Sequence, residues 1–268
     1  IPINDAIIKS FTKGILTTTS IMITAPAVEH AIKSAKNLPG LNVGLHLVLS
    51  NGKAKLPHSE IPKLVNKIGE FQKSEFRSGI KYFFDTRARK QLKKEIRAQF
   101  EAFKKTGFKL DHVNAHNHMH LHPIIFNLII QIGRDYNLTA IRIPNEPPLG
   151  SITYNKKDFI IRYLRWLFFM LFTFPMKRKC IKNKISFNDS IFGFNDSGNM
   201  NIEKLVRIIP HISNGLTEIY THPSTKNNHN GNLGLDNYDS KAEFNALINV
   251  RTIRVIEKFN IKLSGFNF

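Results

Sequence analysis

The sequence is short of cysteine, of acid and of clean apolar runs. One cysteine, Cys180, occurs among 268 residues. No disulfide framework can therefore form within the chain, and a reducing compartment is expected. Asp and Glu number 20 against 39 Lys and Arg, a formal net charge of +19 at pH 7. Such a field favours anionic partners: nucleic acid, acidic lipid head groups or acidic substrates. The basic residues are nevertheless spread along the whole chain, and neither a zinc-finger spacing nor an aromatic RNA-binding signature accompanies them, so no nucleic-acid partner is expected. No secretory pattern stands at Ile1, and no initiating Met either. The expectation is a cytoplasmic protein, with peripheral contact at the inner membrane surface left open, whose start reflects processing or a longer parent chain.

What is present reads as ordinary globular material, 42% hydrophobic and 22% charged. That suits one large α/β domain or two small ones. Helical and strand patterns alternate. A first helix runs from Asn4 to about Gly14, a β-rich stretch covers Leu16 to Ile23, and a helix follows from about Ala27 to Ala35. Asn42 to Leu49 looks like a buried parallel strand, and Ser50 to about Phe84 reads as a long excursion. A basic helix from about Arg87 to Lys105 leads to a strand at Lys109 to Ala115, a helix at Pro123 to Tyr136 and a strand at Thr139 to Ile143. Near the end, Ile202 to Ile212 is helical, Leu216 to Tyr220 a strand, Lys241 to Phe259 one helix and Ile261 to Phe266 a last strand. Alternation of this kind predicts a parallel sheet in an α/β barrel or barrel-like fold, with functional residues at the C-terminal ends of the strands.

One segment stands apart. Phe159 to Met176 is strongly apolar but interrupted by Arg162 and Arg165, and Lys177, Arg178 and Lys179 follow it directly. The clean run after Arg165 is too short to cross a bilayer. It reads either as an interfacial helix facing a lipid-like substrate or anionic membrane, or as a buried helix of the outer layer.

The chemistry concentrates in histidine. Five of the 11 histidines lie between His112 and His122. In an extended chain His112, His116, His118, His120 and His122 would share one face. Neutral imidazole binds borderline cations and serves as acid or base near neutral pH, so this density points to a metal or catalytic role. Two further histidines, His46 in Gly44-Leu45-His46-Leu47 and His222 in Tyr220-Thr221-His222-Pro223, also end short apolar strands. Taken alone, His46 fits a core histidine better than a ligand, and His222 alone is weak evidence. The coincidence of His46, His116 and His222 at strand ends is what suggests a site.

Together these motifs resemble the YdjC-like carbohydrate deacetylases. The resemblance covers almost the whole chain, from Asn4-Asp5-Ala6-Ile7 and Gly14-Ile15-Leu16-Thr17 through Gly44-Leu45-His46-Leu47, His112-Val113-Asn114-Ala115-His116-Asn117-His118-Met119-His120 and Ile141-Arg142-Ile143-Pro144 to Glu218-Ile219-Tyr220-Thr221-His222-Pro223. Phe192-Gly193-Phe194 with Ser197-Gly198-Asn199-Met200 looks like the hopanoid-biosynthesis-associated branch. The resemblance implies a (β/α) barrel-like fold of the polysaccharide-deacetylase type and a single domain over residues 1–268, with an apolar, basic-flanked helical insertion at about 157–184. It implies a hydrolase of linear amide C–N bonds acting on an N-acetylated amino sugar, for that branch N-acetylglucosamine carried on a hopanoid lipid. It also implies a divalent metal, Mg²⁺ first and Zn²⁺ as the alternative, held by one Asp and two His. The two histidines correspond to His46 and His116. His222 corresponds to a catalytic histidine that protonates the leaving amine. His118, His120 and Arg142 fall where they would contact substrate or orient the ligands. An oligomer is compatible with all of this.

Two departures qualify it. The family's first strand carries Asn-Ala-Asp-Asp-Phe-Gly, which supplies the metal-binding Asp and a neighbouring Asp base, and these 268 residues lack it. The expectation is an N-terminally truncated copy that needs the upstream Asp pair for activity, the alternative being real loss of the strand. Asp5, in the first turn of a helix, is not taken as a ligand. Asn114 also stands where many relatives carry Asp, so it can hydrogen-bond but brings no charge. A different class of protein remains as the alternative: a non-catalytic basic protein binding an anionic membrane surface or nucleic acid.

Overall fold

The computed structural model describes residues 1–148, 156–227 and 237–267. Its sheet is parallel throughout and small. Strands β1 (Thr18–Ile21), β2 (Asn42–Leu47) and β3 (Val113–Ala115) lie in that order, with Leu45 beside Val113, His46 beside Asn114 and Leu47 beside Ala115. Single parallel bridges carry the arrangement on, from Val113 to Ile141 and from Ala140 to Ser186. Strands β4 (Ser190–Phe192) and β5 (Thr217–Ile219) complete it as a separate parallel pair. The result is a mixed α/β fold, and the described residues show two short sheets, with the N–H of Ile191 in β4 donating to the Asn145 carbonyl just beyond the bridged segment. Connections between the strands run through helices, as parallel pairing demands.

The helices follow from local rules. Pro2–Lys13 forms α1 and Val28–Lys36 forms α2. Helix α3 (Glu75–Phe84) begins on Ser74, whose hydroxyl accepts from the N–H of Arg77. Helix α4 (Thr86–Lys104) begins on Asp85, whose carboxylate accepts from the N–H groups of Arg87 and Ala88. Its buried face repeats at helical spacing through Ala88, Leu92, Ile96, Phe100 and Phe103, and it packs on β2, where Leu45 and Leu47 are fully buried. Two polar residues on that same face tie strand to helix. Gln99 both donates to and accepts from the backbone of Val48, and the Glu95 carboxylate accepts from the N–H groups of Lys55 and Leu56. Helix α5 (Pro123–Gly133) opens with proline in its first turn, where the missing N–H costs nothing. Helix α6 (Lys156–Lys182) is the longest, at 27 residues. Helices α7 (Ile202–Ile208), α8 (Ser240–Ile248) and α9 (Val250–Lys258) pack about a second, smaller core of Phe192, Met200, Leu205, Ile208, Ala246 and Ile256.

Four sequence readings change. The excursion to Phe84 holds α3, whose apolar residues Phe76 and Phe84 remain in water and so gave no core periodicity. Thr139 to Ile143 makes single bridges instead of a strand. The expected helix from Lys241 to Phe259 is two, because Asn249 leaves helical geometry (φ −76°, ψ 134°) and its side chain caps α9. Ile261 to Phe266 forms no strand; Phe266 instead donates its N–H to the Asp111 carboxylate.

Candidate active site

Strands β1 and β5, the two ends of this run, line one cavity of about 630 Å³. That size suits a small molecule such as a sugar. His46, His116, His118, Arg142 and His222 all border it. These five come from four separate segments of the chain, so the fold assembles what the sequence scatters. His120 does not line the cavity; it is fully buried beside it. Nor do the histidines of the run share a face. After His116 the chain turns sharply, because Asn117 (φ 50°) and His118 (φ 51°) are both left-handed. Two successive non-glycine residues in that region are strained, a feature that collects at functional sites. The turn sends His116 and His118 to the cavity, while His122 packs beside Tyr82 and Phe83.

His46 and His116 meet edge to face. The Nε2 of His46 lies 3.5 Å from the Nδ1 of His116. Burial, reinforced by the charge neighbouring His116 and Arg142 would add, holds His46 well below the ordinary imidazole value, and burial lowers His116 too. Both rings are thus neutral at pH 7 and offer lone pairs. Among the described residues no group of three or more His, Cys, Asp or Glu is placed to hold a metal ion. The two imidazoles therefore fit one edge of a coordination sphere and leave the rest to other donors.

Behind His46 runs a polar chain. Its Nδ1 is 2.6 Å from the Asn114 amide oxygen, and the Asn114 nitrogen is 3.3 Å from His112 Nε2. His112 Nδ1 in turn donates to Asp111 at 2.9 Å, and the His112 ring stacks on Phe266. Burial pushes Asp111 up, but hydrogen bonds from His112, Thr18 and Phe266 outweigh it and keep the carboxyl below its usual range. Gly44 makes this possible: a Cβ there would fall 2.5 Å from the His112 ring. The amide of Asn114 has a second setting. Turned over, its nitrogen would donate to His46 Nδ1 and shift that ring's proton to Nε2, while its oxygen would accept from Ser20 and, at 3.1 Å, from Arg142; only with the amide oxygen toward His46 is the Nε2 lone pair free for a cation. An aspartate could accept from both neighbours at once, whereas asparagine can accept from only one of them.

The opposite wall holds Arg142, Tyr220 and His222. Arg142 is clamped against Glu218 of β5 by two-pronged hydrogen bonding and lies 4.8 Å over the Tyr220 ring. Tyr220 shares a hydrogen bond with His118 at 3.2 Å, and burial raises its hydroxyl above the ordinary range. His222 stands edge to face with both Tyr220 and Tyr238, and its backbone N–H donates to Glu243. Phe194 presses on His118 from the side, at 4.9 Å between ring centres. His118 is also held well below the usual imidazole value by burial and then by the neighbouring charges of His120 and Arg142; burial takes His120 to about 3.

The sequence reading gave no role to Tyr220, Glu218, Phe194 or Tyr238. The first two stand beside His222 in its motif, and their proximity was the available signal. Gly193 was a second: at φ 103° its missing Cβ lets it approach the Tyr220 carbonyl, which seats Phe194.

A parallel α/β frame with an imidazole-lined pocket at its strand ends defines the class. The chain belongs to the YdjC-like protein family, whose sequence profile matches residues 1–258. It is 35% identical over 137 residues to a carbohydrate deacetylase from Geobacillus stearothermophilus, covering 51% of this chain and 52% of that one. Carbohydrate deacetylases from Brevibacillus brevis (26% over 223 residues, 83% of this chain and 75% of the relative) and Thermoanaerobacter pseudethanolicus (23% over 265 residues, 99% and 92%) align more widely. The chain thus spans about half the length of some of the curated relatives it matches, 52% of the Geobacillus stearothermophilus protein. A crystal structure of a putative cellobiose-phosphate cleavage protein from Enterococcus faecalis has the same fold, with a TM-score of 0.71 at 19% identity over 99% of this chain and 92% of that one.

Proposed function

We propose that the protein is a hydrolase that removes the acetyl group from an N-acetylated amino sugar. The observation that carries this is the gathering of His46, His116, His118, Arg142 and His222 around one sugar-sized cavity. The deacetylase relatives support it. His46 Nε2 and His116 Nδ1 are the donors for a divalent metal, Mg²⁺ or Zn²⁺. Such an ion polarises an amide carbonyl and lowers the pKa of bound water. The remaining protein donor is assigned, by resemblance, to an Asp on the family's Asn-Ala-Asp-Asp-Phe-Gly strand.

This chain's own groups have separable tasks. Asn114 orients His46. Arg142, fixed by Glu218, sets a positive charge at the wall, where an acetamide oxygen gains negative character. His222 stands across the cavity to give a proton to the departing amine, so that water's oxygen ends on acetate and the sugar nitrogen leaves as an amine. His118, held by Tyr220 and Phe194, borders the sugar. His120 supports the Arg142 wall from behind. Within this reading the finer assignment is a lipid-borne sugar of the hopanoid-associated type, supported by the Phe192-Gly193-Phe194 and Ser197-Gly198-Asn199-Met200 motifs, of which Phe194 and Ser197 line the cavity.

The test is acetate release from N-acetylglucosamine oligomers by the full gene product with added Mg²⁺ or Zn²⁺. Activity should vanish with chelator, return with metal, and fall by about 100-fold or more in His116→Ala. A chelator-insensitive enzyme, or one without any acetate release, overturns the reading.

A further inference from the structure

Helix α6 lies on the body along one face only. Met176 and Cys180 are buried there, Thr173 is 2% exposed, and Arg162 pairs with Asp196 at 2.8 Å. The opposite face reads differently. Ile160, Ile161, Leu164, Phe168, Leu171 and Phe174 are 46–70% exposed. At about 100° per residue these positions form one continuous stripe over roughly half the helix, about 20 Å long at 1.5 Å per residue. Arg178 and Lys182 continue the same side at its C-terminal end, and the sequence sets Lys156 and Lys157 at its start. By length and composition Asp158–Lys182 could cross a membrane. It does not stand free to do so: Arg162 to Asp196, Arg165 to Asn195 and the buried Cys180 fasten it along its length.

We infer that α6 seats the protein on an anionic lipid bilayer, its apolar stripe entering the acyl boundary in the plane of the membrane and its basic C-terminal end meeting the head groups. An exposed apolar stripe of this extent marks an interaction surface. Charge selects the partner. A net +19 chain attracts an anionic surface, whereas a second copy of itself would bring like charge against the basic end of the stripe.

The placement also links membrane to cavity. Phe169 of α6 lies 4.9 Å from Phe194, which itself lies 4.9 Å from His118. Helix α3, which exposes Phe76 and Phe84, touches the same His116–Leu121 turn that α6 touches. Two apolar surfaces thus flank the histidine turn. The seating itself holds whether or not the protein is a deacetylase.

Vesicle co-sedimentation tests it, using phosphatidylcholine vesicles with and without phosphatidylglycerol. The protein should bind the anionic vesicles, and Leu164→Asp/Leu171→Asp should weaken that binding at least tenfold with an unchanged circular dichroism spectrum. Arg178→Glu/Lys182→Glu should weaken it several-fold and reduce its dependence on salt. Equal binding by wild type and the double Asp variant overturns the inference. So does light scattering that shows a dimer dissolved by the Asp pair, which would assign the stripe to a second copy. Acetate release is not read, so failure here leaves the catalytic reading intact.

Discussion

At the strand ends, imidazoles and a guanidinium are withdrawn from water; on the outer side of α6, phenyl and branched aliphatic groups are left in it. Both arrangements run against the usual partition of residues. They are maintained differently. Arg142 is held by Glu218, His46 by Asn114, and His118 by Tyr220, so these three buried polar groups each lean on a partner. Leu164 and Leu171 rest against water. Polar groups in the cavity should therefore be costly to alter and apolar groups on α6 nearly free to alter, as far as stability is concerned.

Arg142 gives the largest expected effect. With both side chains about one-tenth exposed, removing the cation strands the Glu218 carboxylate in a dry site. Arg142→Met should cost about 3–5 kcal/mol by urea denaturation, and the double variant Arg142→Met/Glu218→Leu should recover most of it. Leu171→Asp, 70% exposed at its own position, should change stability by no more than about 0.5 kcal/mol. Equal losses from Arg142→Met and Leu171→Asp would erase the distinction.

The same contrast explains how much was legible in the sequence. Strand β2 and helix α4 were readable because apolar residues at regular spacing bury one face, and β3 because it ends in the histidine run. His46, His116 and His222 were placed at strand ends by the same logic, and all three reach one cavity. What escaped depended on non-local geometry. The left-handed pair Asn117–His118 breaks the period-two face without any local sign such as glycine. The break at Asn249 is written in a capping side chain inside an otherwise helical pattern. The choice between an interfacial and a buried α6 could not come from composition, because its apolar residues surround most of the axis; only packing against Asp196 and Asn195 settles which side is covered.

Asp196 is the joint between the two regions. It accepts from Arg162 of α6 and from Lys204 of α7, on the loop that carries Phe194 to His118. Burial pushes its carboxyl up, but the hydrogen bonds from Arg162 and Lys204 outweigh that and hold it below the ordinary range. A depressed folded-state value stabilises the protein above the unfolded aspartate pKa of about 3.9, and that contribution drains away as pH falls through the folded value. Asp196→Asn should thus cost about 1.5–3 kcal/mol at pH 7, with the gap to wild type constant down to about pH 5 and closing below about pH 4. Chemical denaturation across that pH range measures it. A gap that widens on acidification would mean that Asp196 is not the ionised partner of both cations.

Among the polar groups Tyr220 should give the smallest effect, and it separates positioning from packing. Its ring lies under Arg142 and beside His118 and His222, while its hydroxyl hydrogen-bonds to His118 at 3.2 Å. Tyr220→Phe keeps the ring and deletes that bond, at a stability cost of about 0.5–1.5 kcal/mol. His118 sits in a left-handed conformation that its partners must sustain, so the deletion should loosen the ring at the cavity wall. If His118 borders the sugar, acetate release should show a raised KM with kcat little changed. A drop in kcat at constant KM would instead put the Tyr220 hydroxyl on the reacting atoms, and the wall built from Phe194, His118 and Tyr220 would then belong to the chemistry itself.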